Sequence, residues 1–321
     1  MRAISCLSAC LAINLFAISH HAAWPQTITT VKIVVPVSPG GANDFLARVL
    51  AEQIGAVQGV AFTIENRTGA GGIIGAEAVS RAVPDGSTVL IDSNSLLIDA
   101  LVQKTNYNPL TSFEPICRLV DAPTVLTVNG ASPYRRLADL IDAARAKPRE
   151  ITLATIGPGG TFRIGFERLR RVANVDITFV PYPGLAPAVN ALLGAHVSSV
   201  FSTYSTVSEQ VNAGRLRALA AGSPTRIEPL PLVPTFAESG YPGYEVDQWF
   251  GLWAPAKTPQ EAATQLAAWF TAALQTPDIK RKLVAQALFP VGTCGTGFAS
   301  YLGKRYDDYG RAIREANIGA E

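Results

Sequence analysis

A chain of 321 residues is long enough for two domains with separate cores, and 48% hydrophobic against 16% charged residues excludes a disordered or polyelectrolyte protein. Its 27 basic and 25 acidic side chains nearly cancel, leaving a formal charge of +2. With no basic run interleaved with aromatics, that balance argues against nucleic acid or an anionic membrane as partner.

The first element is a leader. Arg2 precedes an apolar stretch over 3–18, and small and polar residues follow over 19–23, the pattern of a secretory signal. The apolar stretch is short for a membrane-spanning helix, which needs about 20 residues. Leu7-Ser8-Ala9-Cys10 matches a lipoprotein box, but it lies so early that secretion without a lipid anchor is the expectation. A leader over 1–23 removes Cys6, Cys10, His20 and His21. Cys117, Cys294 and His196 remain, too few for a histidine metal site or a disulfide framework. Whether Cys117 and Cys294 pair or stay as buried thiols is left open. His196 reads as a turn residue.

From residue 32 onward strand-like and helix-like runs alternate. A strand over 32–37 leads to a helix carrying Phe45, Leu46, Val49, Leu50 and Ile54 and ending at Gly55. A strand over 60–64, a helix over 73–82 and a strand over 88–91 follow. The pattern lapses between Pro109 and Pro123 and resumes as a strand over 124–128, where the chain is expected to cross into a second domain. There the order is helix 137–146, strand 151–156, helix 162–171, strand 175–180, helix 186–193, strand 197–201, helix 207–213 and strand 216–220. A proline-rich connector over 224–242, a strand over 244–253 and helices over 260–274, 277–288 and 296–315 complete the chain. This is the βαβ grammar of sheets covered by helices. A chain that leaves one domain, builds another and returns suits a hinged clamp.

Pro-Gly-Gly occurs twice, each time between a strand and a helix. The loops are Ser38-Pro39-Gly40-Gly41-Ala42-Asn43-Asp44 and Gly157-Pro158-Gly159-Gly160-Thr161. Glycines let the backbone turn and approach a ligand, and the helix that follows offers unpaired amides and a positive dipole end to an anion. Two such loops predict two similar halves closing on one acidic ligand. Asp44 fits a helix-capping role better than a ligand contact. A different motif, Gly69-Ala70-Gly71-Gly72-Ile73-Ile74-Gly75 with Asp92 some twenty residues later, imitates a dinucleotide-binding fingerprint and offers a nicotinamide-dependent oxidoreductase as an alternative. Ile74 stands where the third glycine belongs, so close helix–strand packing is the preferred explanation of these glycines.

The chain resembles the periplasmic receptors of tripartite tricarboxylate transporters, the Bug-type proteins. The likeness rests on Ile33-Val34-Val35-Pro36 with Pro39-Gly40-Gly41 and Asp44, and on Glu65-Asn66-Arg67 with the glycines that follow. Pro84-Asp85-Gly86, Val180-Pro181-Tyr182, Gly184 with Pro187-Ala188, and Leu193-Gly194 continue it. Gly214-Arg215-Leu216-Arg217-Ala218, Val233-Pro234-Thr235 with Glu238, and Trp249-Phe250-Gly251 with Ala254-Pro255 complete it. The resemblance implies a two-lobed type II periplasmic-binding-protein fold, α/β, each lobe a mostly parallel sheet flanked by helices, with the ligand cleft between lobes. The lobes would be 27–123 with a return over 245–321, and 124–244. It implies a monomeric periplasmic receptor that passes a small carboxylate to transporter membrane subunits, with no catalytic residue, cofactor or metal. A secreted carboxylate sensor is the nearest alternative. The ligand loops would be the two glycine loops, with Tyr182 lining the cleft. Two positions depart from the family: Arg163-Ile164 replaces His-Leu, and serines including Ser198 and Ser202 replace two acids. Arg163 is expected either to pair with a second ligand carboxylate or to be a solvated helix arginine, and Ser198 to line the cleft.

Overall fold

The computed structural model describes residues 28–156, 160–182, 184–246 and 248–316. The expected leader over 1–23, and Gly157, Pro158 and Gly159, lie outside the described residues. The chain begins with β1 (Thr30–Val35), α1 (Ala42–Gln58), β2 (Ala61–Asn66), α2 (Ile73–Ser80) and β3 (Thr88–Ser93). Next come α3 (Ser95–Val102) and β4 (Phe113–Ala122). The excursion is β5 (Thr124–Asn129), α4 (Leu137–Ala146), β6 (Thr152–Ile156), α5 (Gly160–Ala173), β7 (Thr178–Tyr182), α6 (Leu185–Leu193), β8 (Ser199–Thr203), α7 (Tyr204–Asn212) and β9 (Leu216–Ala221). The return is β10 (Gln248–Pro255), α8 (Gln260–Gln275), α9 (Pro277–Ala285), β11 (Phe289–Cys294) and α10 (Thr296–Ala316).

Each lobe is built on one sheet. The first has the order β11-β4-β10-β3-β1-β2 and the second β7-β6-β8-β5-β9. In the first, β10 pairs antiparallel with both β3 and β4, so β1 to β4 share one direction. In the second, only β5 runs against the rest. Of the strands of reversed direction, β5 and β10 come directly after a crossing, while β11 follows α9 within the first lobe. A chain arriving from the other lobe enters at the end where its new neighbours finish, so it must run down the sheet. Both sheets are therefore mixed, with a parallel majority of strands.

Three elements escaped the sequence pattern. The uninterrupted run from Thr88 to Val102 has no Gly or Pro, yet it contains β3, the turn at Asn94 and α3. In β4, Glu114, Pro115, Arg118 and Asp121 interrupt the apolar residues, and the edge strand β11 has a pairing break between Pro290 and Thr293. Helix α1 runs through Gly55 and stops at Gly59, which is left-handed (φ 70°) and donates its N–H to Gly55 O. Gly55 instead admits β2: a Cβ there would stand 3.1 Å from Val60 O.

Helices α1, α8 and α9 cover one face of the first sheet and α2, α3 and α10 the other. In the second lobe α4 and α5 cover one face and α6 and α7 the other. Side chains of each lobe enter the core of the other: Ile164 of α5 is buried among Leu97, Ile98, Phe298 and Leu302 of the first lobe, and Ala287, ahead of β11, is buried in the second-lobe cluster with Tyr204, Val207 and Ile227. At the crossings Thr124 Oγ1 donates to Val246 O, Gly222 N–H to Thr124 O, and Val246 N–H to Gly222 O. The outgoing and returning strands are thus tied to each other. Cys117 of β4 and Cys294 of β11, partners in register, form a disulfide that spans 177 positions of chain. No helix among the described residues is long and apolar enough to cross a membrane.

Candidate functional site

Pro123 alone separates the end of β4 from the start of β5. Because β4 points the same way as β1, and β5 opposite to β6, the ends of β1 and β6 that carry the glycine loops both lie at the level of that crossing. The end of β1 and the end of β6 therefore lie on facing ends of the two sheets.

The first loop is held in shape by a saturated carboxylate. Helix α1 starts at Ala42 with Gly41 in extended conformation before it, and Gly40 takes φ +90°. Asp44, 4% exposed, is the third residue of the helix and reaches back into the loop. Gly40 N–H donates to its Oδ2 (3.0 Å), Arg48 clamps both oxygens through Nε and Nη2 (2.9 Å each), and Asn66 Nδ2 donates to Oδ1 (2.9 Å). Asn66 also donates to Val37 O (3.1 Å), so the end of β2 fastens both sides of the turn. The Arg48 hydrogen bond, ahead of the Gly40 amide and Asn66, draws the Asp44 carboxyl down to about 2 despite its burial. Asp44 is thus not the N-cap the sequence suggested: Gly41 holds that position with no side-chain cap, and Asp44, the third residue of the helix, spends its carboxylate on the preceding turn. The amides of Ala42, Asn43 and Asp44 donate to no described carbonyl or side chain and are left for an anion. Arg48 and the fastening role of Asn66 were not anticipated. An Asp–Arg pair four apart after a Gly-Gly turn was the available signal.

The Asn43 side chain hydrogen-bonds to Asp92. Asp92 also accepts from Ser93 N–H (2.7 Å) and Ser95 Oγ (3.1 Å), all inside the lobe at the end of β3. Its carboxyl is 3% exposed and committed to these partners, so it does not present itself to a ribose hydroxyl. The glycines of the 69–75 segment are accounted for by packing: a Cβ on Gly75 would stand 2.7 Å from Arg67 O and 2.9 Å from the Pro36 ring. The structure thus gives the dinucleotide motif a structural explanation.

Burial pushes Asp92 up to about 7, against the Ser93 amide and with Asp99 adding to the rise, and burial pushes Asp99 up to about 7 as well. A carboxyl raised on folding keeps its proton in the native state while the unfolded chain loses it above about 4. Stability is therefore expected to fall between pH 4 and 7, by up to about 1.4 kcal/mol per pH unit for each group, and to level off above. Urea midpoints at pH 5 and 8 should show this fall. Asp92→Asn should reduce it, and an unchanged difference in that variant would count against a protonated Asp92.

In the second lobe Gly160, at φ +80°, opens α5, and Thr161 is half-buried beside it. Tyr182 ends β7 in register with Ile156, at the cleft end of the sheet, half-buried against the α6 side. Arg163 is engaged within its own lobe: Nη2 lies 2.6 Å from Glu167 Oε1 and the guanidinium sits 4.3 Å above the Phe179 ring. Its partners are thus internal rather than solvent. Ser198 is not brought to the cleft. It precedes β8, accepts from Thr152 N–H (3.2 Å) and takes part in the pairing at the far end of the sheet. The sequence expectation failed because Ser198 lies where β8 enters the sheet, not where it leaves. The serine at the leaving end is Ser202, wholly buried, its Oγ without a partner among the described residues. His196 stands exposed in the turn after α6, as expected.

Comparison with known proteins adds a family to this geometry. A model described as the tripartite tricarboxylate transporter family receptor matches residues 46–318. The protein BugT of Bordetella pertussis is 33% identical over 264 residues, covering 81% of this chain and 81% of its own. A solved structure of an R. palustris protein with adipate superposes with a TM-score of 0.81 at 32% identity, covering 90% of this chain and 98% of that one. MatC from Rhodopseudomonas palustris, with bound malate, superposes at 0.76 and 27% identity, covering 88% and 98%. With the family model spanning most of its length and both lobes matched in solved relatives, the chain belongs to the tripartite tricarboxylate transporter receptor family.

Proposed function

We propose that the protein is a periplasmic receptor that holds a small carboxylate between its lobes and delivers it to the membrane subunits of a tripartite tricarboxylate-type transporter. The observation that carries this reading is the set of unspent amides at Ala42–Asp44, which follow the end of β1 that lies level with the crossing, as does the end of β6. The relatives with adipate and malate support a carboxylate as the ligand class. The ligand contacts are Ser38 to Asp44 in the first lobe and Gly157, Gly159, Gly160 and Thr161 in the second, with Tyr182 beside them. The lobes divide as 27–123 with 245–321, and 124–244, and the receptor acts as a monomer. Export through the 1–23 leader agrees with the Cys117–Cys294 disulfide, which needs an oxidising compartment.

A panel of mono-, di- and tricarboxylic acids should include one that raises the melting midpoint by several degrees and reduces the radius of gyration in X-ray scattering. At a hundred times its Kd a ligand stabilises by about 2.7 kcal/mol. A broad panel that moves neither quantity would sink the proposal.

A further inference from the structure

The amides of the first glycine loop have a buried acid behind them. Asn43 carries one of the unspent N–H groups, and its own side chain, buried, donates to the Asp92 carboxylate. The other donors to Asp92 are also neutral, Ser93 N–H (2.7 Å) and Ser95 Oγ (3.1 Å). One side chain thus separates the place where an anion would dock from a second carboxyl group.

Among the described residues, the elements packed around Asp92 bring it acids and neutral groups. Helix α1 brings Asn43 and, past it, the Asp44–Arg48 ion pair, which is closed on itself (2.9 Å). Helix α3 brings Asp99, itself buried, and the Tyr107 hydroxyl donates to Leu96 O of that helix (3.3 Å). Asp92, Asp99 and Glu77 of α2 all act on Tyr107, and Glu77 is paired with Arg81 (3.6 Å). Strand β10 opposes Asp92 with Gly251, and α10 reaches the turn through Tyr309, which accepts from Asn94 (3.0 Å). Arg48 and Arg81, the cations in this set, each answer another acid. A carboxylate docked on the amides therefore adds negative charge beside an uncompensated acid, and a proton on Asp92 relieves the repulsion. Asn43 serves both states of Asp92: its Nδ2 donates to the carboxylate, and after an amide flip its Oδ1 accepts from the neutral acid's O–H. The rise of the Asp92 carboxyl to about 7, caused first by burial, puts this exchange in the neutral range.

We propose that Asp92 is a positioning residue for carboxylate binding: through Asn43 it sets the loop that presents the amides, and it takes up one proton from solvent when the anion docks. The proton linkage rests on the carboxylate function proposed above; the Asp92–Asn43 contact does not. The linkage is reciprocal, so the anion raises the proton affinity of Asp92 and the proton raises affinity for the anion. Two negative charges one side chain apart, at an effective dielectric of about 20, shift each other by about one pKa unit. Affinity is then highest below pH 7, falls as the free carboxyl ionises, and levels off once the bound form has also lost its proton.

The first readout needs no ligand. In two-dimensional NMR of the mature protein, the Asn43 side-chain amide and the backbone amides of Ala42, Asn43 and Asp44 are expected to titrate with a common midpoint at about 7. Asp92→Asn is expected to abolish that step, and Asp99→Asn to keep it at a lower midpoint. Unfolding midpoints establish that the variants are folded. Should Asp92→Asn not fold, Asn43→Ala, which keeps the backbone amide, is expected to shrink the step at Ala42 and Asp44, and an undiminished step there overturns the bridge. Absence of a common step, its survival in Asp92→Asn, or its loss in Asp99→Asn overturns the assignment to Asp92. The second readout is calorimetric titration with adipate or, where adipate does not bind, with the stabilising acid of the panel, between pH 6.5 and 9. The wild-type dissociation constant is expected to rise about three- to tenfold over that range, with a heat that varies with the buffer's ionisation, and to stay level in Asp92→Asn. Binding that neither varies with pH nor takes up a proton overturns the linkage. An acid panel without effect, beside the expected NMR step, would refute the carboxylate function and the linkage with it, and leave the Asp92–Asn43 contact standing.

Discussion

Replacing Cys117 and Cys294 by serine is expected to lower the unfolding free energy by about 2–5 kcal/mol, the range seen for native disulfides. The bridge spans 177 positions, and loop-closure entropy grows with the logarithm of loop length, which places the expected loss toward the upper end. Local structure points the same way. Strand β11 is an edge strand with four paired positions, a pairing break after Pro290 and Gly292 at φ +71°. Without its covalent tie, β11 should fray and leave the edge of β4 open to other chains. The measurement is thermal unfolding of the double variant and of reduced wild type, both expected to melt about 5–15 °C lower, using the stability-to-midpoint conversion for proteins of this size. Equal midpoints would mean that pairing and packing alone hold β11.

The second large effect is expected from Asp44→Ala. It removes the acceptor of the Gly40 amide, both contacts of Arg48 and one of Asn66. Arg48 is half exposed and can regain water, which limits the loss to about 2–3 kcal/mol. Two effects on carboxylate affinity oppose each other. Deleting an acid beside an anion site favours binding electrostatically, but Arg48 already neutralises that acid. Loss of loop shape disfavours binding, because the amides of Ala42 to Asp44 must then be ordered by the ligand. The second effect should win, with affinity falling at least tenfold, about 1.4 kcal/mol. Asp44→Asn, which keeps an acceptor for Gly40, should fall in between, and a variant that binds more tightly than wild type would contradict the geometric account. Asp44 also sets an acid limit. Its carboxyl is near 3.8 when unfolded and about 2 when folded, so its stabilising contribution is complete above pH 4 and is lost as pH falls toward 2.

The alternation of strands and helices and the glycine turn ahead of α1 were legible in the sequence because each depends on local chemistry. What was not legible depends on the partner strand. Ten residues of β4 with four polar or proline positions read as irregular, yet β10 and β11 pair on either side and bury Ile116, Cys117, Leu119 and Val120. The helix α3 was missed although Asp92-Ser93-Asn94-Ser95, four turn- and cap-forming residues, mark the change of period; no Gly or Pro stands there to make the break plain. In the site, Ser198 was misplaced by lack of strand polarity: identity showed a serine near a strand but not which end of the sheet it would occupy. Arg163 was read as a choice between ligand and solvent, and Glu167 and Phe179, one turn along and one strand across, bind it instead.

Ile164 gives the clamp a thermal signature. Any swing that parts α5 from α10 would transfer this side chain, now 5% exposed, from the core of the opposite lobe into water, at a cost of about 1.5–3 kcal/mol. The same transfer raises heat capacity, so the penalty for parting weakens on cooling. Cargo release should then be steepest in cold solution, and a smaller residue at 164 should flatten that dependence.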